Sequence, residues 1–123
     1  MPFKVGEMPF FGDLVSINYH GSLCNNTMMM NSELEASVFL HGNPIIVYNK
    51  GTREVTLNGW GYLTTTDYGA ARSNGSTTRR RMNVLGFRVK VKKGECLIET
   101  KTHGWVKFNK ELTYPLQEVY YGA

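Results

Sequence analysis

FRVKVKKGECLIET, residues 87–100, carries the most constrained local pattern in the chain. Phe87, Val89 and Val91 alternate with Arg88, Lys90 and Lys92, the period of two that a half-buried strand requires. Lys93-Gly94 reads as a two-residue hairpin turn, since glycine takes the positive φ that such turns need. Folding back there sets Lys92 opposite Glu95, Val91 opposite Cys96, Lys90 opposite Leu97, Val89 opposite Ile98 and Arg88 opposite Glu99. Apolar meets apolar on one face, and cation meets anion at both ends of the other. A slip of one residue would break both agreements, so the register is predicted together with the hairpin.

After the hairpin, Thr102-His103-Gly104 turns the chain into WVKFN (105–109), a last strand. The tail, 110–123, carries Tyr114, Tyr120 and Tyr121 and either packs back or meets a partner. Before the hairpin, Ser76 is a good N-cap for a short helix over Thr77–Leu85, closed by Gly86 at C′. Thr78, Met82 and Leu85 share one helical face, which would lie on the sheet. Arg80 points away from that face, and Arg79 and Arg81 flank it. Residues 64–76, TTTDYGAARSNGS, read as a polar surface loop, and a mobile loop is expected over 61–75.

Further back, SVFLH (37–41), PIIVYN (44–49) and EVTLN (54–58) form a three-stranded meander, rich in β-branched and aromatic residues. Lys50-Gly51-Thr52-Arg53 is a hairpin turn between the last two, and Trp60 and Tyr62 fall on a further short strand. DLVSINY (13–19) alternates as a strand does. In CNNTMMMNSELE (24–35), Ser32 and Glu35 have the spacing of a capping box, which predicts a short helix. The expected fold is α+β: a single domain, 1–123, mainly antiparallel sheet with one short helix (about 76–85) packed on it.

Charge is unevenly spread. Lysine and arginine total 14 against 10 acids, for a net +4. Arg79, Arg80, Arg81, Arg88, Lys90, Lys92 and Lys93 form an acid-free block, so the other seven cations face all ten acids and leave that remainder at −3. Cys24 and Cys96 sit in no paired metal or redox motif and read as buried reduced thiols. There is no secretory h-region and no apolar run long enough for a bilayer, so the expected location is the cytoplasm, and no membrane contact is expected.

The order of these features resembles a family of small uncharacterised proteins of tailed bacteriophages. The matching pieces are HGNPIIVYN (41–49), VTLNGW (55–60), TTRRRMN (77–83), FRVKVKKG (87–94) and HGWVKF (103–108), within residues 37–110. Two departures stand out: residues 61–75 intervene between the tryptophan segment and the helix, and Cys96 stands where the family tends to place an aromatic. The resemblance implies a phage origin, a host-cell cytoplasmic location and a similar fold. It implies no catalytic residues.

The candidate site is the basic segment, with the seven cations expected to converge on one accessible surface. Arginines in the first turns of a helix oppose the macrodipole, which an acidic partner would offset. Phosphates are the usual complement of such a patch. The competing reading is a solvated face partly neutralised by Glu95 and Glu99. Tyr68, in the polar loop, is the aromatic expected to be exposed for base stacking, whereas Trp60 and Trp105 read as core residues. The helix N-terminus at Ser76 and Thr77 offers a seat for one phosphate, hence a nucleotide, with Arg79 or Arg81 alongside. His20, Cys24 and His41 match no standard zinc spacing, and no catalytic constellation appears. The expected function is therefore non-enzymatic binding without a cofactor. The partner is nucleic acid or the acidic surface of a host protein complex, with sequestration of a nucleotide signal as a third reading and a homo-oligomer left open.

Overall fold

The computed structural model of the protein describes residues 2–58, 69–108 and 110–122, with the side chains of all but 69–76. Its elements are α1 (Phe11–Ser16), β1 (Gly21–Cys24), β2 (Thr27–Asn31), β3 (Glu35–Leu40), β4 (Asn43–Asn49), β5 (Glu54–Asn58), α2 (Gly69–Val84), β6 (Val89–Lys92), β7 (Glu95–Thr100), β8 (Gly104–Lys107) and β9 (Glu111–Pro115). Short 3-10 turns occur at Val5–Glu7 and Leu116–Glu118. The strands form two antiparallel sheets, one in the order β1-β2-β3-β4-β5-β9 and the other β6-β7-β8. This is an α+β fold built mainly from sheet, as the strand and turn patterning predicts.

Apolar rows explain the register of the large sheet. Met29 pairs with Val38, Val38 with Ile46, Ile46 with Leu57 and Leu57 with Leu112. The first four are buried and Leu112 is half-buried. One row along, Ala36, Tyr48, Val55 and Tyr114 are partnered in the same way. A one-residue slip of any strand would turn its share of both rows to the outer face. Ile45 is an extra residue between the Val38–Ile46 and Phe39–Pro44 pairs; this bulge buries two consecutive isoleucines.

Met82 and Leu85 of α2 and its C-terminal flank are fully buried, as their spacing predicts. They join Val89, Cys96 and Ile98 from the inner face of the small sheet, and Phe11, Leu14 and Phe87, in one apolar cluster with the large sheet. At about 1.5–3 kcal/mol for each fully buried large side chain, this shared core holds the two sheets together.

Three local expectations are corrected. DLVSINY is not a strand: its first residues belong to α1, where Phe11 and Leu14, three apart, both reach the core and Asp13 favours the first turn. The alternation misleads because Ile17 is 67% exposed. CNNTMMMNSELE is not helical but supplies β2 and the turn after it. Ser32 Oγ accepts hydrogen bonds from the Leu34 and Glu35 N–H groups at 3.3 and 3.2 Å, so the serine performs capping chemistry on a hairpin turn. Finally, α2 starts at Gly69, well before residue 76. Its Ala-Ala-Arg start is helix-favouring, and an interior glycine costs only about 1 kcal/mol. The strand expected at Trp60 and Tyr62, and residues 61–68 of the expected loop, lie outside the described residues. Among the described residues, no helix is long and apolar enough to cross a membrane.

Candidate functional site

The hairpin of residues 87–100 forms in the predicted register: Val89 with Ile98, Lys90 with Leu97, Val91 with Cys96 and Lys92 with Glu95. Lys93 and Gly94 have φ of 52° and 77°, the paired positive values of a type I′ turn. Since cross-strand partners share a face, the outer surface of the small sheet presents Arg88, Lys90 and Lys92, then Glu95, Leu97 and Glu99, then Trp105 and Lys107. Arg88 Nη1 lies 3.0 Å from Glu99 Oε1, and Lys107 Nζ 2.9 Å from Glu95 Oε2. The Glu95 carboxylate accepts the Lys107 hydrogen bond and holds that ammonium pKa above the usual lysine value. Both pairs are open to solvent and salt, so they trim the local positive field without cancelling it. Among the described residues, Arg88, Lys90, Lys92, Lys93, Lys101 and Lys107 outnumber the acids at this sheet and its turns, Glu95, Glu99 and Glu118, the last of which accepts from Thr102 Oγ1 at 3.4 Å through its carboxylate.

Aromatic rings lie under these cations. Lys90 Nζ sits 3.9 Å from the centroid of the Trp105 ring. The Arg88 guanidinium carbon sits 3.7 Å from the Tyr120 centroid, and Lys101 Nζ lies 5.5 Å from the same ring. Trp105 is 41% exposed, which corrects its expected place in the core. The parity of the third strand carried the signal: Val106 pairs with the buried Ile98, so Trp105, paired with Glu99, must face outward. Tyr120 reaches the site because the chain after β9 returns along the small sheet, bridging Val119 to Thr100.

Asn83 fixes the free edge of this surface. Its amide donates to the Val89 carbonyl at 3.0 Å and accepts from the Val89 N–H at 2.8 Å, like a one-residue extra strand. Beside this edge runs a groove of about 560 Å³, with Phe87 and Val89 in its floor and Phe10, Arg88, Trp105 and Tyr120 on its rim.

The helical part of the expected site does not converge with the strand part. Consecutive helical residues point about 100° apart, so three adjacent arginines cannot share a face. Arg81 is 6% exposed and turned to the large sheet, its Nε donating to Thr27 Oγ1 at 2.8 Å and its Nη2 to the Asn25 carbonyl at 3.3 Å. It is an internal residue, unavailable to a partner. Arg80 is exposed but lies against Gly6. Arg79 is half-buried and lies close enough to Cys96, on the inner face of the small sheet, for its charge to lower that thiol's pKa. Ser76 and Thr77 lie inside α2, so their amides are not a helix N-terminus and the expected phosphate seat does not exist there. Tyr68 lies outside the described residues.

Cys24 and Cys96 are free and buried, as their isolation in sequence predicts. Burial pushes the Cys96 thiol up to about 11, against the opposing effect of Arg79. His20 Nδ1 accepts the Asn31 N–H at 3.0 Å. Among the described residues, no three His, Cys, Asp or Glu side chains gather as a metal-holding group. No protein-family model matches the chain, and searches of curated proteins and of solved structures return no significant match.

Proposed function

We propose that the protein is a non-enzymatic binder of single-stranded nucleic acid that lays the strand across the outer face of β6, β7 and β8. The observation that carries this reading is the Lys90 ammonium 3.9 Å above an indole that is itself 41% exposed. An exposed ring offers a stacking surface to an unpaired base at about 1–3 kcal/mol, and the cation beside it meets the adjoining phosphate. Lys92, Lys93, Lys101 and Lys107 extend the phosphate track on either side. Bases in a duplex are already stacked on one another, so this platform favours single strands. The resemblance of residues 37–110 to small tailed-phage proteins supports a phage origin, and with it action in the host cytoplasm.

The test is titration of labelled single-stranded RNA and DNA by fluorescence anisotropy at several salt concentrations. With four to six phosphates neutralised, the log–log salt slope should be about −3 to −4. Lys90→Ala should reduce it by roughly 0.7, and Trp105→Ala should weaken binding about five-fold or more. Absence of salt-dependent binding to either kind of strand sinks the reading. A nuclease-resistant complex with a host protein that needs Lys90 but not Trp105 would instead favour docking on an acidic protein surface.

A further inference from the structure

We propose that the groove beside this face takes one unstacked base of the bound strand, held by shape and stacking instead of by a hydrogen-bond code. The inference rests on the single-strand reading above and assigns the groove an occupant. Its volume, about 560 Å³, falls in the range of about 300–1,000 Å³ typical of small-ligand sites. That is room for a single nucleotide. Three aromatic rings stand at the rim: Phe10 (47% exposed) and Trp105 (41%) reach solvent, and Tyr120 is half-buried. A phenylalanine and a tryptophan this exposed beside one groove keep apolar surface open to solvent, although Lys90 lies over the Trp105 ring and Gly122 under Phe10.

The rim is built to hold its shape. Phe10 lies directly on Gly122, where an added Cβ would stand 2.1 Å from the Phe10 ring. The Phe11 N–H donates to the Leu85 carbonyl at 2.7 Å and the Gly12 N–H to the Tyr121 carbonyl at 3.2 Å. The wall carrying Phe10 is thereby fastened to the helix end and to the tail carrying Tyr120. Stacking surfaces that need no rearrangement cost less entropy to use.

Charge selects the occupant. Among the described residues lining the groove, Arg88 is the one charged group, and there is no carboxylate. The guanidinium lies on Tyr120 with one nitrogen on Glu99, which leaves other N–H groups for a phosphate. An electron-rich ring joined to a phosphate satisfies both the apolar walls and this cation. Asn83, which could have read a base edge, spends its amide on both backbone groups of Val89. Recognition is therefore tolerant of base identity.

The experiment uses short single-stranded oligonucleotides, RNA and DNA, carrying 2-aminopurine or an abasic residue at each position in turn. Binding to the full chain should quench 2-aminopurine several-fold at one position, and an abasic residue there should weaken binding roughly 5- to 150-fold. In Phe10→Ala the quench should vanish, and the abasic residue should add little to the loss that the substitution itself causes. Phe10→Leu keeps an apolar side chain on Gly122 and removes the aromatic face, so it repeats the test should the alanine variant fail to fold. Strand binding with no quenched position, or with equal abasic penalties in wild type and Phe10→Leu, overturns the groove assignment and leaves the sheet-face reading standing. No strand binding at all overturns both.

Discussion

The side chain of Asn83 hydrogen-bonds both backbone polar groups of Val89, accepting at 2.8 Å and donating at 3.0 Å. Two bonds at about 0.5–1.5 kcal/mol each set the scale of this clamp. Asn83→Ala should destabilise the protein by about 1–3 kcal/mol and lower the melting temperature by several degrees in a circular-dichroism melt. Asn83→Asp, which keeps only the accepting half, should fall between. A loss below about 0.5 kcal/mol in the alanine variant would show the clamp to be idle.

Arg80 and Arg81 are neighbours in sequence with opposite expected sensitivities. Arg81→Ala removes buried charged hydrogen bonds to Thr27 and Asn25 and should cost about 2–4 kcal/mol. Arg80→Ala, at an exposed position, should stay within about 0.5 kcal/mol. Urea midpoints for the two variants decide this; similar values would contradict the inward placement of Arg81.

Gly86 and Gly94 both have positive φ, 109° and 77°, but differ in their surroundings. A Cβ at Gly86 would stand 2.5 Å from the Gly122 nitrogen and 2.6 Å from the Tyr121 carbonyl carbon, whereas nothing lies within 4 Å at Gly94. Gly94→Ala should cost about 1–2 kcal/mol, the backbone penalty alone. Gly86→Ala should cost more and loosen the tail that carries Tyr120, read as faster C-terminal cleavage in limited proteolysis. Equal melting temperatures for the two variants would count against the close approach.

Cys96 makes stability fall at alkaline pH. Its thiol is raised from 9.0 to about 11, first by burial and against the Arg79 charge. Between those values the unfolded chain has lost the proton and the folded chain keeps it, so stability drops as pH rises through that window. The loss is at most about 3 kcal/mol. Urea midpoints at about pH 8 and about pH 11 should converge in Cys96→Ala relative to wild type. Lys107 also titrates above its usual range, but it is common to both proteins and cancels in the comparison.

The hairpin of residues 87–100 was legible because period, turn and charge pairing all constrain one register. The meander of residues 37–58 was legible for the same reason, with β-branched runs punctuated by turns. Residues 13–19 failed because alternation cannot distinguish an apolar residue that is buried from one, such as Ile17, that is not. The site was half legible. Strand parity places Arg88, Lys90 and Lys92 together, but a run of arginines on a helix spreads around its axis, and only tertiary contacts reveal that Arg81 turns inward. Trp105 and Tyr120 were missed as a platform because the exposure of an aromatic depends on what covers it, and Tyr120 arrives from the far end of the chain.

The placement of β9 against β5 has a consequence for synthesis. Thr56 and Thr113, whose hydroxyls meet at 2.8 Å, are 57 residues apart in the chain. While the ribosome is still making the helix and the small sheet, Glu54–Asn58 offers an open row of amides and carbonyls to any passing strand. A stop codon before Glu111 would make that opening permanent, and such a fragment should collect in inclusion bodies.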